Sequence, residues 1–327
     1  MADPELATKA PESDAQEDVT IPGDSKVDQG AASMGEHCTT DRPTPSNEQP
    51  TGEILTLNDV EAYVTKPADY PHASSKLLLL LTGGTGIHSK NNQIQADKFA
   101  AEGYVVVMPD QFAGNPASSV STTQTNAAEE NPSIIEQVKL GVAAVAKSFT
   151  IDMWLARHTP EKVLPILQKA ITGIRDEYGD AVANGGGIYA VGYCFGARYV
   201  LLLGSELHAD VAAGQRSPET QAEEGMTKKG PEIKVGAIAH GTQVSVSDLE
   251  NCTVPLGIVA VEQDSLFPDH IRDKGVEKLK EKGIETEVQV YPGVPHGFAV
   301  FGDYADETIK SKQQQAFQQL LEWLQSH

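Results

Sequence analysis

The chain has 327 residues and a formal net charge of −21. That is enough for one large α/β domain with a tail, and the wrong charge for nucleic acid or an anionic membrane surface as partner. Its three cysteines, Cys38, Cys194 and Cys252, make neither a disulfide framework nor a metal-ligand pattern; no metal or organic cofactor is expected, and a reducing, cytoplasmic compartment is.

Residues 1 to 50 are rich in Asp, Glu, Pro, Ser, Gly and Gln and nearly free of large apolar side chains. Such a segment buries too little surface to offset its ordering entropy, so it reads as a disordered acidic N-terminal tail ahead of a domain over 51–327. Its last part, Cys38 to Pro45, is where the tail is expected to dock. The N-terminus has neither the basic nor the apolar region of a secretion signal, and no apolar run reaches the roughly 18 residues of a membrane span.

Glu53–Leu57 and Val60–Thr65 read as a hairpin turning at Asn58-Asp59. Lys76–Leu81 is almost continuously apolar, as in a strand covered on both faces. A helical pattern over 93–102 leads to a second buried strand over 104–108. Residues 111–131 read as a long polar loop, and helical patterns follow at 133–148 and 160–178. Strand, turn and helix occupy 187–205. Residues 208–232 are charged and read as a surface insertion. Strands at 234–240, 256–261 and 285–291, a helix at 268–281 and a terminal helix at 307–325 complete the chain. Strands alternating with helices predict an α/β fold with a mostly parallel central sheet and helices on both faces.

Between the strand and the helix at 187–205 stands Gly192-Tyr193-Cys194-Phe195-Gly196. The pattern is a nucleophile elbow, G-x-S-x-G, with Cys in place of Ser. Glycines on either side allow a strained turn that holds the central side chain above the sheet edge, beside the positive end of a helix. There a thiol pKa falls and the thiolate becomes a nucleophile. A buried, inert core cysteine is the competing explanation of the pentapeptide.

A catalytic thiol needs a base, and the base an orienting group. Asp264 follows the strand at 256–261, and His296 follows the strand at 285–291. Parallel α/β sheets gather their sites at the carboxyl ends of strands, so all three residues fall at one edge. Each has an ordinary explanation: Asp264 as a helix N-cap near Pro268, His296 as a loop histidine. His208 and His240 compete with His296, but both precede Asp264, against the nucleophile–acid–histidine order of α/β-hydrolases.

Gly192 to Tyr199 and Pro295-His296-Gly297-Phe298-Ala299 resemble the dienelactone hydrolase family. Asn91-Asn92-Gln93, Pro109-Asp110-Gln111-Phe112 and Met153 to Pro160 resemble its fungal branch. The resemblance spans roughly residues 36 to 327. It implies an α/β-hydrolase fold and a triad of Cys194, Asp264 and His296. It also implies an oxyanion hole formed by the backbone amides of Phe195 and Gly84, the latter in the Thr82–Gly86 loop. Read alone, that loop also invites a phosphate-binding interpretation, but it is not G-x-G-x-x-G and lacks the Lys-Ser/Thr of a P-loop. Two departures stand out. The bacterial enzymes carry a Glu that pairs with the resting thiol, where this chain has Gly83. They also carry an Arg after the histidine that holds the substrate carboxylate, where this chain has Val300 and Phe301. The first leaves His296 to deprotonate Cys194. The second favours a less charged substrate. Arg198 is expected to brace its helix or a nearby carboxylate. Trp154, Phe267, Phe298, Phe301 and Tyr304 read as core more readily than as pocket lining.

The expected activity is hydrolysis of a small-molecule ester or lactone through a thioester acyl-enzyme, by a monomer or a dimer. A degenerate hydrolase that binds a small molecule, a redox-sensing thiol, or a fold recruited to a biosynthetic cyclisation or isomerisation is the alternative.

Overall fold

The computed structural model describes residues 39–45, 47–117, 151–206 and 230–327. The compact unit that carries them runs from Ala32 to His327. Most of the expected tail, the helix expected at 133–148, the loop beyond residue 117 and residues 208–229 of the expected insertion lie outside the described residues.

Eight strands form one sheet: β1 (Glu53–Leu57), β2 (Val60–Thr65), β3 (Lys76–Leu81), β4 (Tyr104–Pro109), β5 (Ile188–Tyr193), β6 (Val235–Ala239), β7 (Leu256–Val261) and β8 (Thr286–Tyr291). Their order is β1-β2-β4-β3-β5-β6-β7-β8. β1 and β2 form the predicted hairpin, with Asn58 and Asp59 both at positive φ, as the tight turn between right-twisted strands requires. β2 pairs antiparallel with β4, and every pairing from β4 to β8 is parallel.

The helices that lie wholly among the described residues are α1 (Lys90–Ala101), α2 (Pro160–Glu177), α3 (Gly179–Gly185), α4 (Phe195–Leu203), α5 (Val246–Asn251), α6 (Asp269–Glu281) and α7 (Glu307–Ser326). Side chains alternate across a strand, and β3 divides its leucines accordingly. Leu77, Leu79 and Leu81 pack with α2, α4, α5 and α6 on one face, while Leu78 and Leu80 pack with α1 and α7 on the other. The continuous apolar run of β3 is thus the signature of a strand covered twice.

Among the described residues the predicted elements are present to within a few residues, and residues 151–157 are helical as well. The short helices α3 and α5 were not foreseen. α5 has six residues and is held at its start by a capping box, Ser245 with Asp248. So brief a helix leaves almost no periodicity, and the cap is its one local signal. Among the described residues no helix is long and apolar enough to cross a membrane.

The N-terminal segment 39–45 packs on this domain, as expected of the docking stretch. Ser89 Oγ donates to Asp41 Oδ1 at 2.8 Å, Asn91 Nδ2 donates to the Arg42 carbonyl at 2.7 Å, and Thr44 Oγ1 donates to Asn91 Oδ1 at 2.7 Å. The Asp303 amide donates to the Pro43 carbonyl at 2.8 Å, and the Arg42 guanidinium lies 4.5 Å over the Tyr304 ring. These contacts make the segment a strap across the carboxyl edge of the sheet.

Candidate active site

β5 ends at Tyr193, and Cys194 turns the chain at φ 52°, ψ −113° into α4. Non-glycine residues avoid this conformation, and it persists only where the surroundings enforce it. Here they do. A Cβ at Gly192 would stand 2.6 Å from the Gly196 carbonyl oxygen, and one at Gly196 would collide with the Leu81 backbone. Both elbow glycines are therefore required by close passage of the chain. The Cys194 amide donates to Ala239 at 3.1 Å, and the Thr242 amide to the Cys194 carbonyl at 3.0 Å. Phe112, Trp154 and Phe195 pack ring to ring at centroid distances of 5.0 to 5.5 Å behind the elbow.

Asp264 and His296 arrive from the ends of β7 and β8. His296 Nδ1 lies 2.7 Å from Asp264 Oδ2. Asp264 Oδ1 accepts from the Leu266 amide at 2.9 Å, so the carboxylate closes a turn and holds the imidazole. It does not cap α6, whose N-cap is Pro268. Thr242, just beyond β6, completes a chain of contacts. Its hydroxyl is 3.2 Å from His296 Nε2 and 3.1 Å from the Cys194 sulfur. The structure thus brings together Cys194, Asp264 and His296, and adds a hydroxyl that the sequence reading did not single out. One positional signal was available: Thr242 follows a parallel strand at the edge where sites gather.

The local charges follow from this arrangement. Burial alone pushes the His296 imidazole down, but charge on the Cys194 sulfur and the bond to Asp264 outweigh it and hold the group up at about 9. Burial pushes the Asp264 carboxyl up, yet its bond to His296 and the imidazolium charge leave it below the usual range. His240, the residue before Gly241, is fully buried with its ring 5.0 Å from that of His296. Burial and the neighbouring His296 charge push it down to about 3. His208 lies outside the described residues.

A cavity of about 30 Å³ opens above the sulfur. It is lined by Cys194, Gly83, Gly84 and His240 below, and by Thr40, Asp41 and Arg42 of the strap above. Gly84 borders the cavity beside Cys194, and Phe195 heads α4, where a first-turn N–H has no acceptor within its own helix. A Cβ at Gly83 would be 3.1 Å from the Cys194 Cβ. Val300 and Phe301 border the cavity, whereas Trp154, Phe267, Phe298 and Tyr304 are core. The apolar exchange at 300 and 301 does not leave the cavity without a cation, because Arg42 reaches it from the strap. Arg198 pairs with Asp248 at 3.2 Å, the brace expected of it.

An eight-stranded, mostly parallel sheet with a nucleophile elbow after its central strand is the α/β-hydrolase fold. The dienelactone hydrolase family model matches residues 60–327, and the chain belongs to that family. It is a carboxylic ester hydrolase by that membership. Its fungal relatives include "Hydrolase tropI" of Talaromyces stipitatus, 29% identical over 85% of this chain and 91% of that protein. "Dienlactone hydrolase 1" of Gibberella moniliformis is 27% identical over 84% of this chain and 88% of its own. Among solved structures, a Klebsiella pneumoniae protein assigned to dienelactone hydrolases superposes with a TM-score of 0.58 at 16% identity, covering 86% of this chain and all of that one.

Proposed function

We propose that the protein cleaves a small ester or lactone with Cys194 as nucleophile, His296 as base and acid, and Asp264 as the group that orients the imidazole. The observation that carries this reading is the unbroken run of contacts from Asp264 through His296 and Thr242 to the sulfur at the elbow. His296 takes the thiol proton. The thiolate attacks the carbonyl carbon, forming a C–S bond and an oxyanion. The amides of Phe195 and Gly84 receive that oxyanion, each such donor being worth about 3 kcal/mol in sites of this kind. The carbonyl re-forms as the C–O bond breaks, and His296 Nε2 gives its proton to the leaving alkoxide. Water then attacks the thioester, His296 removing its proton, and the acid departs with the thiol restored.

Thr242 substitutes for the carboxylate that Gly83 lacks. Its hydroxyl accepts from His296 Nε2 and donates to the sulfur, which favours the thiolate–imidazolium pair over the neutral pair. A sensing thiol needs no acid–histidine pair; the Asp264–His296 pair beside Cys194 favours the hydrolytic reading. Cys194 and Cys252, neither of them in a disulfide, suit a reducing compartment such as the cytoplasm. The test is mass spectrometry of the intact protein after mixing with an activated aryl ester. A transient acyl adduct on Cys194 that decays as acid accumulates supports the reading; turnover without any adduct on Cys194 overturns it.

A further inference from the structure

His240 is costly to the fold and unused by the chemistry above. Its backbone sits at φ 37°, a strained conformation for a side chain branching at an imidazole. Both ring nitrogens are buried, and neither has a hydrogen-bond partner among the described residues. Buried polar atoms in folded proteins are nearly always paired, and leaving them unpaired is destabilising. A phenylalanine would fill the same space without that cost. The ring is nonetheless fixed in place. Its amide donates to the Val259 carbonyl at 2.8 Å, and the ring packs against His296, Tyr193 and Phe298 at 5.0, 5.9 and 6.3 Å.

The location gives this arrangement a purpose. His240 borders the cavity that holds the Cys194 sulfur and Gly84. It lies between two residues whose backbones bond Cys194, namely Ala239 and Thr242. Other polar side chains of that lining are already committed. Asn91 holds the strap at Arg42 and Thr44, Asn92 holds Thr85 and Gly86, and Asp41 holds Ser89. Of the buried polar side chains in that lining, the imidazole of His240 is the one left with a donor and an acceptor to offer.

We propose that His240 binds the acyl part of the substrate, and that the substrate class is an ester or lactone carrying a neutral hydroxyl beside the scissile carbonyl. This rests on the hydrolytic reading above. The groups facing the ring are His296, with Asp264 behind it, and the phenol of Tyr193. Full burial and the imidazolium of His296 keep His240 uncharged, so it forms no ion pair with a carboxylate. A neutral imidazole carries one N–H and one bare nitrogen, and a hydroxyl complements either. A site built around such a group rejects analogues that lack the hydroxyl, because its buried nitrogen is then left unpaired.

The test compares α-hydroxy-γ-butyrolactone with γ-butyrolactone on the full chain and on His240→Phe and His240→Asn. The expected ratio of kcat/KM is about tenfold or more in favour of the hydroxylated lactone. It falls to about one in His240→Phe and is partly restored in His240→Asn, which keeps a donor and an acceptor. Calorimetric binding of the two lactones to Cys194→Ala, with and without His240→Phe, reads the same preference without turnover. A ratio near one in the parent chain, or a ratio that survives His240→Phe, overturns the proposal. Hydrolysis of both lactones with no effect at His240 leaves the hydrolytic reading standing. Selective binding without hydrolysis leaves the His240 assignment standing and removes the hydrolytic one.

Discussion

His296 Nδ1 and Asp264 Oδ2 stand 2.7 Å apart, although 32 residues separate them in the chain. Adjacent parallel strands, β7 and β8, end side by side and deliver both groups to one edge. The carboxylate and the charge on the Cys194 sulfur together hold the imidazole at about 9 despite its burial.

That balance sets a pH dependence. A histidine whose folded pKa lies above its unfolded value stabilises the fold in its protonated form. The contribution is complete below about 6.5 and is lost as pH rises through about 9. Thermal unfolding followed from pH 6 to 10 should show Tm falling across that window, and His296→Gln should flatten the fall. An equal slope in both proteins would refute the assignment.

Charge on the sulfur is the largest of the influences that raise His296. Replacing Cys194 by Ala removes it. NMR titration of the imidazole should therefore give a clearly lower pKa in Cys194→Ala than in the parent. The same variant should hydrolyse an aryl ester at least about 10³-fold more slowly, with its far-UV circular dichroism unchanged.

The Thr242 hydroxyl lies 3.2 Å from His296 Nε2 and 3.1 Å from the Cys194 sulfur. Thr242→Val should slow alkylation of Cys194 by iodoacetamide at neutral pH about tenfold and shift its pH profile upward, since a thiolate loses its hydrogen-bond donor. Thr242→Ser should keep the parent profile. A purely structural role would lower Tm in both without moving the profile.

The elbow tolerates no Cβ at Gly196, where one would meet the Leu81 backbone. Gly196→Ala should cost at least about 3 kcal/mol in urea unfolding, or leave the chain insoluble. Gly283, at φ 71° with nothing within 4 Å, is the control: alanine there meets only backbone strain, at about 1 kcal/mol.

The sheet and the elbow were legible because they depend on local sequence. Leu77 to Leu81 and the glycines at 192 and 196 report their surroundings through residue type alone. Cys194, Asp264 and His296 could be placed at one edge because strand ends converge there. Thr242 and Arg42 could not be read in this way. A threonine after a strand has no distinctive neighbours, and Arg42 lies in a polar stretch whose composition resembles a tail. Its place at the cavity arises from tertiary bonds that tie Asp41, Arg42 and Pro43 to Ser89, Asn91 and Asp303. Val300 and Phe301 carry no cation, and the guanidinium that borders the same cavity comes from Arg42 in the strap.

The strap of residues 39–45 supplies part of the wall of the cavity beside Cys194. The outline of the site is thus set jointly by the sheet edge and by a segment more than 140 residues away in the chain. A substitution at Ser89, Asn91 or Asp303, which hold that segment, would redraw the wall without touching the sulfur or the imidazole.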